Sequence, residues 1–197
     1  DAMKRREVYA STGPRITLRF FAGYDFGAAD LKAKDLAAIG YRKGVPMGGD
    51  LKAHGGRKVP TFLVAAMKDP QGANLDRVQV VKGWLDADGN TQERIYDVAV
   101  SGGRRIGADG RCATAVGNTV DLATGQYRND IGAAELHTVW RDPHFDPAQR
   151  AFYYARVLEI PTPRYSLLDS IALGKPWEDT GRPATIQERV YGSPIWY

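Results

Sequence analysis

From Arg15 to Ala22, Ile16, Leu18, Phe20 and Ala22 alternate with Arg15, Thr17 and Arg19. A period of two puts those four apolar side chains on one face, so the segment is predicted as a half-buried strand. Thr61 to Met67 is instead almost continuously apolar, the pattern of a strand covered on both faces. Arg77 to Leu85 resumes with Val78, Val80, Val81 and Trp84, and Gln92 to Val100 reads as a returning strand. Between them lies Asp86-Ala87-Asp88-Gly89-Asn90, where Gly and Asn tolerate positive φ and Asp bonds its own backbone, so residues 78–100 are predicted as a hairpin. The strongest apolar block, Ala151 to Ile160 (AFYYARVLEI), is predicted as a central strand, stopped by Pro161 and Pro163 because proline cannot donate to a ladder.

Helical spacing is weaker. Asp30 to Ile39 places Leu31, Leu36 and Ile39 as a short helix would, within a long connection that ends in the glycine-rich stretch 44–49. Gly132 to Trp140 is predicted as a helix carrying Leu136, Val139 and Trp140 on one side, Asn118 to Tyr127 as another strand, and Arg104 to Val116 as a loop. Asp1 to Glu7 (DAMKRRE) has the look of the last turns of a helix, so the chain is expected to be the C-terminal portion of a longer protein. Short strands and hairpin turns with few helices predict a mainly β fold. The expected form is an antiparallel β-sandwich, immunoglobulin-like or jelly-roll-like, with a few short helices and an extended C-terminal tail. Residues 1–14 are expected to be the end of an upstream helix and a junction, 15–162 the sandwich, and 163–197 the tail packed on it.

Composition narrows the function classes. Apolar content of 43% across 197 residues allows one well-filled core and requires no second. The net charge of +4 is dispersed, whereas tracking a phosphate backbone needs clustered cations, so nucleic acid is not an expected partner. No apolar run approaches the length of a membrane span. Cys112 is the single cysteine, so an intrachain disulfide is impossible.

Candidate chemistry is sparse. His137, Asp142, His144 and Asp146 crowd ligand-type side chains into HTVWRDPHFD, but their spacing matches no metal pattern, and the alternative is a polar loop after a helix. Asp86, Asp88, Asn90 and Glu93 imitate the start of a calcium loop, yet the glycine such a loop needs at its sixth position is Thr91, which favours a hairpin turn. Gly44, Gly48 and Gly49 lack the Gly-Lys-Ser/Thr of a phosphate loop, and Ser101 and Ser193 sit in no nucleophile elbow. His54, in AHGGRK, is expected in an exposed loop. The four tryptophans remain: Trp84 and Trp140 fit core positions, while Trp177 and Trp196 either pin the tail or offer flat faces to a ligand.

Several segments resemble a known family. Arg6 to Arg15 (REVYASTGPR), KDPQGANLDR at 68–77, VVKGWLD at 80–86, GNTVD at 117–121, RVLEIPTPR at 156–164 and ERVYGSPIWY at 188–197 are similar to an uncharacterised bacterial family. That family is related to the PHP (polymerase and histidinol phosphatase) metal-dependent hydrolases, and MGGD at 47–50 agrees with it. The resemblance implies a periplasmic or secreted parent whose upstream catalytic domain, the partner of this chain, holds a divalent metal. The family's metal motifs have no counterpart here, so no cofactor and no catalytic residue is expected in this chain. Thr12 at the junction, with Arg15 and Arg164, is the expected set of ligand or interdomain contacts.

Two readings follow. One is a non-catalytic accessory domain that stabilises or shapes a PHP-like metallohydrolase. The other is a module that grips a carbohydrate or other envelope ligand, which requires a row of aromatic side chains exposed on one sheet face. A self-contained metalloenzyme requires convergence of His137, Asp142, His144 and Asp146.

Overall fold

The structure is a computed structural model that describes residues 1–54 and 58–197. In chain order its elements are β1 (Tyr9–Ser11), β2 (Thr17–Gly23), α1 (Leu36–Lys43), β3 (Gly44–Pro46), β4 (Thr61–Met67), β5 (Leu75–Leu85) and β6 (Thr91–Val100). They continue as β7 (Glu135–Arg141), β8 (Ala151–Glu159), β9 (Thr162–Pro163), α2 (Tyr165–Ala172), β10 (Thr185–Ile186), β11 (Arg189–Gly192) and β12 (Ile195–Trp196). Two antiparallel sheets face each other in a sandwich-like arrangement, as the alternation predicts. The larger runs β1-β11-β8-β5-β6 with β12 also on β8, the smaller runs β3-β2-β4-β7, and β9 and β10 form a separate ribbon.

The core lies between the sheets. Leu18, Phe20, Phe62 and Val64 from the smaller sheet meet Val78, Val80, Tyr153, Ala155 and Val157 from the larger. Phe62 packs on Tyr153 with ring centroids 4.6 Å apart, and Tyr96 on Trp140 at 4.9 Å. The smaller sheet is covered on its outer face too, where Phe21, Phe26 and Leu63 pack under Leu36 and Ile39 of α1. That double cover is why Thr61 to Met67 carries no polar alternation. Asp35 caps α1 by accepting the Ala38 amide at 2.9 Å. The β5–β6 turn is held by Asp86 Oδ1, which accepts the amides of Asp88 and Asn90 at 3.0 and 2.8 Å.

Four local expectations are corrected. Residues 135–141 form a strand, not a helix: every residue of β7 is paired with β4, and Leu136 and Trp140 enter the main core while Val139 enters the outer one. The 136/139/140 spacing satisfies a helix and a twice-covered strand alike, and strand pairing decides between them. Residues 118–127 form no strand; Asp121 folds them into a turn, its carboxylate accepting Ala123 N at 2.8 Å and its carbonyl accepting Gly125 N at 2.8 Å. Residues 2–6 form turns, and positive φ at Arg6 closes them. The helix expected at 30–39 is divided into a 3-10 turn at Ala28–Lys32 and α1.

The segment 163–197 runs extended only in part. It contributes α2, a 3-10 turn at Trp177–Thr180 and three strands, of which β11 lies between β1 and β8 inside the larger sheet.

Candidate ligand-binding site

Ala151, Tyr153, Ala155 and Val157 of β8 point into the core, so strand alternation turns Phe152, Tyr154, Arg156 and Leu158 to the outer face of the larger sheet. The same rule applies to its neighbours. Val190 and Ile195 are core residues, which sends Tyr191 of β11 and Trp196 of β12 outward. Trp196 pairs directly with Phe152 and Tyr191 with Arg156. A row Trp196, Phe152, Tyr154, Tyr191 results, with ring centroids 5.3 Å apart for Trp196 and Phe152 and 6.4 Å for Tyr154 and Tyr191. Trp196 is 44% exposed. At the Trp196 end the row borders an apolar groove of about 680 Å³, whose walls include Trp84, Leu85, Phe152 and Trp196, with Glu93 and Arg150 as its charged groups.

The groove floor is made by Gly83, over which the Phe152 ring lies. On the core side of the same strand Lys82 is buried, and its Nζ donates to Asp142 Oδ2 at 2.7 Å and to the His144 carbonyl at 2.9 Å. Tyr153 OH donates to the same Oδ2 at 2.8 Å, and the His144 amide donates to Oδ1 at 2.8 Å. Tyr96 OH lies 3.0 Å from His144 Nδ1. Burial, followed by the charge of Asp142, raises the Tyr153 hydroxyl far above the ordinary tyrosine range. Asp142 is therefore committed to an ammonium, a phenol and an amide. His137 is exposed on β7, opposite Ala65, and Asp146 accepts the Ala148 amide. Among the described residues no three His, Cys, Asp or Glu side chains are arranged to hold a metal. His137, Asp142, His144 and Asp146 are therefore not brought together as one ligand set among the described residues.

Thr12 and Arg15 have separate partners, near the far end of β8 from Trp196. Thr12 Oγ1 donates to Glu188 Oε2 and accepts the Arg189 amide at 3.0 Å. Arg15 donates its backbone N–H to Asp69 Oδ2 at 2.8 Å, while its side chain stays exposed. Glu188 and Asp69 flank Glu159, a core-facing carboxyl that is 2% exposed and whose Oε1 has no hydrogen-bond partner among the described residues. Burial, then the negative charges of Glu188 and Asp69, push Glu159 up to about 7, against a smaller opposing effect of Lys68. Lys68 Nζ is itself held by the carbonyls of Asp69 and Gly72 at 3.0 and 2.8 Å. Arg164 joins none of these contacts. It stands at the N-cap of α2, its guanidinium 5.7 Å from the Tyr165 ring, and its buried Nε has no partner among the described residues.

The remaining candidates have structural roles. Asp86, Asp88 and Asn90 make the hairpin turn, and Ser101 is buried with its hydroxyl on the Asp76 carbonyl at 3.0 Å. Gly44 begins β3, Gly48 donates to the Pro194 carbonyl and Ser193 to that of Val8. His54 is exposed beside Tyr24, and the rest of its loop at 55–57 lies outside the described residues. Trp84 and Trp140 pack on the core, and Trp177 is half-buried in its 3-10 turn beside α2. Trp196 alone of the four stands in the aromatic row, whose other members are half-buried.

The sequence reading missed Phe152, Tyr154 and Tyr191. The alternation of AFYYARVLE held the signal, since Phe152 and Tyr154 occupy the positions between core residues; what places Tyr191 and Trp196 beside them is the return of the C-terminal strands onto β8.

A model for a family described as a protein of unknown function (DUF3604) matches residues 1–197. No curated protein and no solved structure matches the chain.

Proposed function

We propose that this chain, which belongs to the DUF3604 family along its whole length, is a non-catalytic module that binds a carbohydrate or similar ring-faced ligand on the outer face of its larger sheet. The carrying observation is the Trp196–Phe152–Tyr154–Tyr191 row beside the groove. Pyranose rings present apolar C–H faces that stack on aromatic rings, while their hydroxyls bond flanking polar groups. Glu93, Gln92 and Arg150 supply such groups at the groove wall.

The test is binding of soluble glycans by calorimetry and affinity electrophoresis. Trp196→Ala and Phe152→Ala each reduce affinity by roughly tenfold or more if the rings carry the stacking. Unchanged binding by both variants, with folding intact, refutes the assignment of this face.

The module acts beside a PHP-like metallohydrolase domain of the same polypeptide, which holds a divalent metal and faces the periplasm or exterior. Support comes from the resemblance of REVYASTGPR and RVLEIPTPR, and from the exposed edge strand β1, which leaves one side of the larger sheet free beside the junction. In a longer polypeptide carrying both, deleting this module lowers turnover of polymeric substrate more than of a small soluble one. Equal loss on both substrates points to a purely stabilising role.

A further inference from the structure

The aromatic row does not stand alone on its face. Arg156 is opposite Tyr191 in register, and Arg189 follows two residues before Tyr191 on the same side of β11. Arg150 lies at the groove wall. Glu93 is opposite Gly83, which is in turn opposite Phe152, and the Tyr154 ring lies 6.4 Å from that of Tyr191, so these side chains share the outer face. Arg156 donates Nε to Gln79 Oε1 at 2.8 Å, a contact that aims the guanidinium and leaves its two terminal nitrogens without a partner among the described residues. Arg189 donates Nε to the Gln187 carbonyl at 3.2 Å, and its Nη1 lies 3.5 Å from Tyr191 OH. The groove wall itself pairs one cation, Arg150, with one carboxylate, Glu93. Farther along the face, beside Arg156, the only carboxylate among the described residues of β6 that faces this side is Asp97, which is already engaged by Gln79, Arg77 and the Cys112 amide.

From this arrangement we infer that the ligand is an acidic oligosaccharide, one whose carboxylates alternate with stackable ring faces. This deepens the carbohydrate-binding reading above and rests on it. A planar guanidinium pairs with a carboxylate through two parallel N–H bonds, and pre-aimed arginines do so at lower entropic cost than free lysines. From Phe152 to Leu158, where Arg189 pairs, the strand covers roughly 20 Å. That span suits a short oligosaccharide and exceeds a single sugar. The order along β8 sets the register: rings stack at the Trp196–Phe152 end, and acid groups meet Arg156 and Arg189 at the other.

The experiment compares polygalacturonate and alginate oligomers with neutral xylan and laminarin oligomers of matched length, at low and high salt. The expected result is preferential binding of the acidic oligomers, weakening as salt rises. Arg156→Ala and Arg189→Ala each weaken acidic binding by about tenfold, the loss of one charge-assisted contact. Exposed Arg150→Ala weakens it less, and Glu93→Gln strengthens it. Thermal melts of each variant separate loss of contact from loss of fold, and Arg150→Ala with Glu93→Gln keep the test open if a core-flanking arginine variant unfolds. Equal binding of neutral oligomers, insensitive to salt, overturns this inference and leaves the carbohydrate reading standing. Binding of no glycan overturns both.

Discussion

The ring of Phe152 lies directly on the backbone of Gly83, its opposed residue across β5 and β8. A side chain at position 83 would occupy the space the ring fills. Gly83→Val therefore lifts Phe152 out of the aromatic row. Overpacking of this kind costs about 1–3 kcal/mol, and glycan affinity falls in parallel with that of Phe152→Ala. Thermal melts and binding titrations on the same preparation measure the two effects.

Removing the amine of Lys82 leaves the Asp142 carboxylate buried with its principal counter-charge gone. Breaking one side of such a pair costs about 3–5 kcal/mol, so Lys82→Met lowers the denaturation midpoint sharply. A loss of less than about 1 kcal/mol, the range of exposed pairs, would show that the site admits water freely. Groove binding changes too, because Lys82 also lies 5.3 Å from the Trp84 ring centre.

Glu159 makes stability depend on pH. Its carboxyl is raised from the ordinary 4.5 to about 7 in the folded chain. The folded state therefore holds the proton more tightly than the unfolded state does. The stabilisation is complete below about 4.5 and is lost as pH rises through about 7, a change on the order of 3 kcal/mol. Glu159→Gln keeps the shape without the charge, so its melting temperature exceeds that of the parent at pH 8 and varies less between pH 5 and 8. A parent whose melting curve is identical at pH 5 and pH 8, in agreement with the variant, refutes this assignment.

Chelation provides a further check. Asp142 is saturated by Lys82, Tyr153 and the His144 amide, so EDTA followed by zinc, manganese, iron or calcium leaves the melting temperature unchanged. A stoichiometric metal with a raised melting temperature would mean that the loop at 142–146 rearranges to bind it.

The C-terminal segment illustrates what local pattern does not reveal. Its Pro, Gly and charge content resembles a loose tail, yet Arg189–Gly192 is an interior strand. Four residues are too few to display a period, and their pairing partners lie more than thirty residues back in β8 and at the other end of the chain in β1. Thr12, at the junction, bonds Glu188 of this same segment, a contact across most of the chain's length.

Hydrophobic pattern and turn chemistry by themselves determined the mainly β class: the strand at 15–22 from its alternation, those at 61–67 and 151–160 from short apolar runs bounded by breakers, and the 78–100 hairpin from its turn residues. The helix-like spacing of Leu136, Val139 and Trp140 was resolved only by pairing with β4, since a strand buried on both faces erases its own period. Tertiary structure alone set Trp196 against Phe152, Lys82 against Asp142 and Glu159 between Asp69 and Glu188. Each is a meeting of segments distant along the chain, and proximity of that kind is created by the packing of the sheets and leaves no local mark in the order of residues.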